Sequence, residues 1–309
     1  MYPASEPYAH GMLDVGDGNQ VYWEECGNPA GKPALFVHGG PGWGASPVRR
    51  RYFDPFRYRA ILFDQRGCGR STPHASDPSA DMSVNTTQHL LADMELLREH
   101  LGVSRWLLFG GSWGSTLILA YAQQFAAHVS EVVIAGVTTS RRSELDWLYR
   151  GVGSVLPEAW ERFRAGLPAD DLLNAYAQLM EDPDPAVRLS TANRWSAWED
   201  AVLSTEPSGL STAFQDRTEA ERLALVRICA HYFSHGCWLA DALPDPAKLV
   251  GIPAVLIHGA HDLSGLPGIA QEVADSWPGA ELDIIGDSGH TGSTTMSDHI
   301  VAALDRFAR

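Results

Sequence analysis

The chain has 309 residues, 45% hydrophobic and 20% charged, a globular composition that can bury a sizeable core. Against 38 acidic residues stand only 23 basic ones, and the net charge of −15 repels phosphate backbones and anionic lipid. Nucleic-acid and membrane-surface partners are therefore disfavoured, and the length fits two domains or one large α/β domain with an insertion.

The first eighteen residues lack the basic and apolar regions of a signal peptide, and no apolar run reaches the ~18 residues of a membrane span. A cytoplasmic protein is expected. Val21 to Cys26 alternates and reads as a strand near a sheet edge. Ala34 to His38 and Ala60 to Asp64 are short apolar runs ending at glycine-rich or polar turns, the pattern of buried strands. Leu90, Leu91, Met94, Leu97 and Leu101 share one face of a helix capped by Thr86 or Thr87. Trp106 to Gly110 is another buried strand, Thr116 to Gln124 a helix, and Glu131 to Gly136 a further strand. Residues 138 to 245 show helical periodicity with almost no strand signal. Pro253 to Gly259 and Glu281 to Gly286 restore it, and Ile300, Ala303, Leu304 and Phe307 stripe a terminal helix. The expected fold class is α/β: a mostly parallel sheet flanked by helices (residues 1–137 and 246–309) with an inserted helical cap (138–245).

The sharpest motif is Gly110-Gly111-Ser112-Trp113-Gly114, a G-x-S-x-G placed between a buried strand and a helix. That context turns Ser112 out at the carboxyl end of the sheet as a nucleophile. Its hydroxyl needs a base, and the base needs a carboxylate; in this architecture the chain order is Ser, acid, His. Asp262, just after one late strand, and His290, just after the next, fit that order. Asp287 is a rival acid but sits only three residues from His290, where a turn role suits it better. His258 and His261 precede the acid, and His299 opens the terminal helix. The oxyanion hole requires two backbone N–H donors: Trp113 supplies one, and Gly40, in the loop His38 to Gly42, the other. The acid limb of activity is expected near the ordinary pKa of histidine. His231 and His235, at i and i+4, have no third ligand in view, so no metal is assigned. Gly67-Cys68-Gly69 does not open a dinucleotide site, and no cofactor is expected. Cys26, Cys68, Cys229 and Cys237 are scattered without a C-x-x-C pair, so neither a disulfide framework nor a zinc knuckle is indicated.

Several separated stretches together resemble the proline iminopeptidases of the α/β-hydrolase superfamily. They are His38 to Gly42, Asp64 to Ser71, Asn85 to Thr87, Gly110 to Leu117, Arg141 to Trp147, Trp195 to Glu199 and His231 to Phe233, with the Asp262 and His290 loops. The resemblance implies an α/β-hydrolase fold with a helical cap and cofactor-free release of an N-terminal proline through an acyl-enzyme. The substrate would be a short peptide or other small molecule. It also implies that Glu199, beside Trp195 and Trp198 in an aromatic-lined slot, holds the substrate ammonium. The chain departs from the family on the substrate side. Cys229 stands where a second glutamate is usual, and Ala135 and Thr138 stand where an arginine and an aromatic are usual. Leu263 to Pro267 is unusual in spacing. Those departures leave open a remodelled hydrolase for another amide, ester or lactone, or a binder that retains the pocket.

Overall fold

The computed structural model describes residues 1–308. Its short apolar runs assemble into one eight-stranded sheet: β1 (Ala9–Asp14), β2 (Gln20–Gly27), β3 (Lys32–Val37), β4 (Tyr58–Phe63), β5 (Trp106–Gly110), β6 (Val129–Ala135), β7 (Ala254–Gly259) and β8 (Ala280–Ile285). Their spatial order is β1-β2-β4-β3-β5-β6-β7-β8, and only the β1–β2 and β2–β4 pairs are antiparallel. Every residue of β5 and β7 is buried, because parallel strands covered on both faces have no solvent side to alternate toward. The run Val21 to Cys26 is near the sheet edge, as expected, one strand in from it. β1 lies outside it, in register from Ala9 opposite Glu25 to Asp14 opposite Gln20.

Period two sorts the strand side chains into two cores. Leu35, Val37, Phe63 and Leu108 pack with Leu90, Met94 and Leu97 of α1 (Thr87–His100) and with α2 (Trp113–Gln124). Phe36, Leu62, Leu107 and Phe109 face the other way, onto Ile300, Ala303 and Leu304 of the last helix (Thr294–Phe307), with Phe307 at the margin. Of the two threonines that could cap α1, Thr86 holds the position.

Between β6 and β7 come α3 (Arg142–Tyr149), α4 (Pro157–Arg164), α5 (Leu172–Met180), α6 (Pro185–Leu203) and α7 (Glu219–Ser234), with no strand among them. Aromatic rings knit this segment: Phe163 stacks on Tyr176 at 4.8 Å and on Trp198 at 5.3 Å. α7 fastens it to the sheet region. Its buried Arg227 donates to the carbonyls of Ala75, Asp77 and Ala80 as well as to Glu181. Tyr232 donates to Asn85 Oδ1, and His231 Nε2 meets the Asn85 carbonyl at 3.1 Å. His235 stacks on Trp238, so the two histidines have structural partners.

Candidate active site

β5 ends and α2 begins within three residues, and Ser112 in between is held at φ 56°, ψ −131°. A non-glycine residue there is strained, and the surroundings must enforce it. They do so by crowding: a Cβ on Gly111 would lie 1.7 Å from the Ala135 carbonyl oxygen. One on Gly110 or Gly114 would lie 2.3 or 2.2 Å from that of Val37. Ser112 N–H donates to the Gly136 carbonyl at 2.7 Å, and the Thr138 hydroxyl donates to the Ser112 carbonyl at 2.7 Å. The Ser115 and Thr116 hydroxyls in turn donate to the Thr138 carbonyl. The serine backbone is thus pinned from both sides.

His290 Nε2 stands 2.9 Å from Ser112 Oγ, and its Nδ1 stands 2.8 Å from Asp262 Oδ2. Asp262 is buried, and its other oxygen accepts from Gly265 N–H at 2.8 Å. Burial alone would raise the Asp262 carboxyl, but the adjacent His290 outweighs it and holds the group below the usual carboxylate range. For His290 burial favours the neutral ring. The Asp262 carboxylate overrides that, with Glu206 and Glu199 adding to it, and the imidazole is pushed up to about 9. This lies above the ordinary histidine value expected from the sequence. His258, behind Asp262, accepts from Val137 N–H and meets the Gly265 carbonyl with Nε2; burial pushes its pKa down. Asp287 accepts from the Ser293 and Thr295 hydroxyls at the head of the last helix, and His299 pairs with Asp283.

On the opposite side of Ser112 lies the loop His38 to Gly42. A Cβ on Gly39 would come 3.2 Å from the Ser112 Cβ, so the two backbones are in close approach. Among the described residues, the N–H groups of Gly40 and Trp113 donate to no protein acceptor. They are free to receive an oxyanion. The stretch Asp64 to Ser71 acts as a brace here. Gln65 donates its side-chain amide to the His38 carbonyl at 2.9 Å and accepts from Trp113 Nε1 at 3.0 Å. Gln65 N–H donates to His38 Nε2, an acceptor because burial pushes that imidazole down to about 4. Asp64 accepts from the N–H groups of Ala45 and Arg70 and from Arg70 Nε.

Ser112 and His290 open into a cavity of about 330 Å³ whose walls include Thr138, Glu199 and Cys229. Glu199 Oε1 accepts from the Tyr149 hydroxyl at 2.6 Å and from Trp195 Nε1 at 3.0 Å. Burial raises its carboxyl to about 6 against the pull of those two donors. The Cys229 thiol donates to the Pro41 carbonyl at 3.3 Å, and burial keeps it protonated. Thr138 reaches the wall, but its hydroxyl is committed to the Ser112 carbonyl. Two expected wall residues are elsewhere. Trp195 lies behind the wall, one helical turn from Glu199 on α6, where it donates to that carboxylate and packs on the cavity-lining Tyr149 and Phe233. Trp198, about 100° around α6 from Glu199, packs on Phe163 and Trp160 and lines a separate hollow. Two neighbours of the site carry no sequence signal. Tyr149 bonds Glu199, and Glu206 accepts from His290 N–H across 84 positions of chain.

Residues 32–294 match the family model described as the alpha/beta hydrolase fold. A probable proline iminopeptidase of Streptomyces coelicolor is 49% identical, with 100% of this chain and 98% of that protein aligned. Proline iminopeptidases of Xanthomonas citri and Arabidopsis thaliana are 42% and 39% identical, covering 100% and 99% of this chain and 99% and 82% of their own lengths. Among solved structures, a proline iminopeptidase of Mycobacterium smegmatis superposes with a TM-score of 0.60 at 19% identity, over 97% of each chain. A proline iminopeptidase-related protein of Thermus thermophilus gives 0.62 at 23% identity, also over 97% of each. At those identities the likeness is one of fold.

Proposed function

Because the chain belongs to the proline iminopeptidase family of the α/β-hydrolase fold, we propose that it is a serine hydrolase releasing an N-terminal proline by acyl transfer. Ser112 Oγ attacks the scissile carbonyl as His290 Nε2 takes its proton, and Asp262 stabilises the imidazolium that results. The tetrahedral oxygen is received by the N–H groups of Gly40 and Trp113. His290 then protonates the departing amine, and water repeats the sequence to free the proline. Glu199 holds the charged imino nitrogen, which fixes the carbonyl over Ser112.

The observation that carries this reading is the run of contacts Ser112–His290–Asp262, at 2.9 and 2.8 Å, facing a buried carboxylate in one cavity. In this reading residues 1–137 and 246–309 form the catalytic core and 138–245 the cap. The substrates are short peptides or similar small amides, with neither cofactor nor metal. The four free cysteines suit a reducing, cytoplasmic setting. No helix among the described residues is long and apolar enough to cross a membrane.

Cys229 favours a second reading, in which the cavity serves another amide, an ester or a lactone, because a neutral thiol cannot hold an ammonium. A panel of free-amine proline amides, other aminoacyl amides, N-blocked amides and simple esters separates the two. Preference for the free-amine proline amide supports the first. Equal or better turnover of N-blocked amides or esters supports the second.

A further inference from the structure

Glu206 lies in the turn that follows α6, and it is buried at 5% exposure. Its carboxylate accepts from His290 N–H at 2.6 Å, Thr291 N–H at 3.0 Å and the Thr291 hydroxyl at 2.5 Å. All three donors are neutral and all belong to the loop that carries the base. Gly289 makes the approach feasible, since a Cβ there would fall 2.2 Å from the Glu206 carboxyl carbon. A buried carboxylate is costly when no cation accompanies it. Fold stability alone is therefore a poor reason for one here, where neutral side chains would serve. A group able to become a cation, His290, stands in the same loop and feels the Glu206 charge.

We infer that Glu206 is a positioning residue: it fixes the 289–291 loop so that the His290 ring stays between Ser112 and Asp262. The inference rests on the triad reading above. One segment would then serve two ends of the reaction, because Glu199 on α6 faces the substrate amine while Glu206, just past the helix, sets the base. The carboxylate has an electrostatic consequence as well. The charged groups facing His290 are Asp262 after β7, Glu206 after α6 and Glu199 on α6, with His258 behind Asp262. Removing the Glu206 charge weakens the hold of the ring on its proton, so the base becomes free at lower pH.

The test is Glu206→Gln in the full chain, with kcat and KM measured from pH 5 to 10.5 on proline p-nitroanilide and on a neutral p-nitrophenyl ester. Glutamine keeps the length but loses the charge and at least one of the three bonds. The expected result is a kcat lowered roughly 10- to 100-fold on the alkaline plateau, at about tenfold per 1.36 kcal/mol of lost positioning. KM changes by less than about threefold, since the residue does not touch substrate. The acid limb moves to lower pH by roughly half a unit or more. A profile that superimposes on wild type after scaling, or a kcat within about twofold, overturns the inference. If circular dichroism shows that Glu206→Gln does not fold, Glu206→Asp replaces it. Aspartate keeps the charge but withdraws it by one methylene, so kcat should fall while the limb stays. An unchanged rate, or a limb that moves, overturns the inference in that variant too. Fluorophosphonate labelling keeps the two levels apart. A wild type not labelled at Ser112 removes the triad reading itself, whereas a labelled wild type with an indifferent Glu206→Gln removes only the role of Glu206.

Discussion

Glu199→Gln should separate binding from stability in one variant. Glutamine is isosteric, and its amide oxygen can still accept from the Tyr149 hydroxyl and Trp195 Nε1, at 2.6 and 3.0 Å in the native protein. What disappears is the negative charge offered to the substrate nitrogen. A charge-assisted bond of that kind is worth about 1.5–3 kcal/mol, roughly 10- to 150-fold in kcat/KM for a free-amine proline amide. A neutral ester should lose little. Stability should move the other way. Burial holds the Glu199 carboxyl at about 6 against an ordinary 4.5. A group whose folded pKa is raised above its unfolded value costs the folded state nothing below the lower value. The cost grows as pH rises through the interval and is complete near neutrality. At 1.36 kcal/mol per pH unit it comes to about 2 kcal/mol at pH 7. The variant should therefore melt a few degrees higher than wild type at pH 7, at about 2 °C per kcal/mol for a chain of this size. Below about pH 4.5, where both forms are neutral, the two should melt together. The assays are kcat/KM on paired amide and ester substrates and calorimetric melting at pH 4 and 7. A variant that loses ester and amide turnover equally, or melts below wild type at pH 7, refutes the reasoning.

Ser112→Ala should abolish turnover by several orders of magnitude while leaving the circular dichroism spectrum and melting midpoint near wild type; retained turnover in pure protein would remove the assignment. The acid limb of kcat/KM should lie toward pH 9, because His290 must lose its proton to act as base and its carboxylate neighbours hold that proton. A titration from pH 5 to 10.5 that rises instead near the ordinary imidazole value of about 6.5 would show that those neighbours do not govern the base. Cys229→Glu should raise kcat/KM for proline p-nitroanilide roughly tenfold or more relative to an ester, by adding a second carboxylate near the imino nitrogen. A ratio unchanged from wild type would mean that the cavity does not bring the amine to that wall. Gly111→Ala forces a Cβ to within 1.7 Å of the Ala135 carbonyl. It should cost at least about 3 kcal/mol and appear as insoluble or low-melting protein, whereas a normal melt would contradict the packing described.

The central strands were legible because burial on both faces writes itself as unbroken apolar runs. β1 was not, since its residues alternate between half-buried and exposed with none fully buried, and Gly11 interrupts it. Val21 to Cys26 alternates and so reads as lying near an edge, and β1 is the strand outside it. The positions of Ser112, Asp262 and His290 could be read because each follows a recognisable strand in a fixed chain order. Trp195 and Trp198 stand close together in sequence but do not share one wall, since 100° per residue turns Trp198 well away from Glu199. Glu206 could not be found at all: its meaning depends on two loops meeting across 84 positions, and no local period encodes such a meeting.

The brace built by Gln65 bears on how turnover begins. Its single amide clasps the His38 carbonyl with one arm and the Trp113 indole with the other. The loops carrying the Gly40 and Trp113 N–H groups, the donors of the proposed oxyanion hole, are therefore registered to one another in the folded chain. Water, by contrast, must turn its dipoles afresh around each new anion, and that reorientation is part of the barrier in solution. In the proposed reaction the alignment is completed once, when the chain folds, and every later substrate meets a field already pointing the right way.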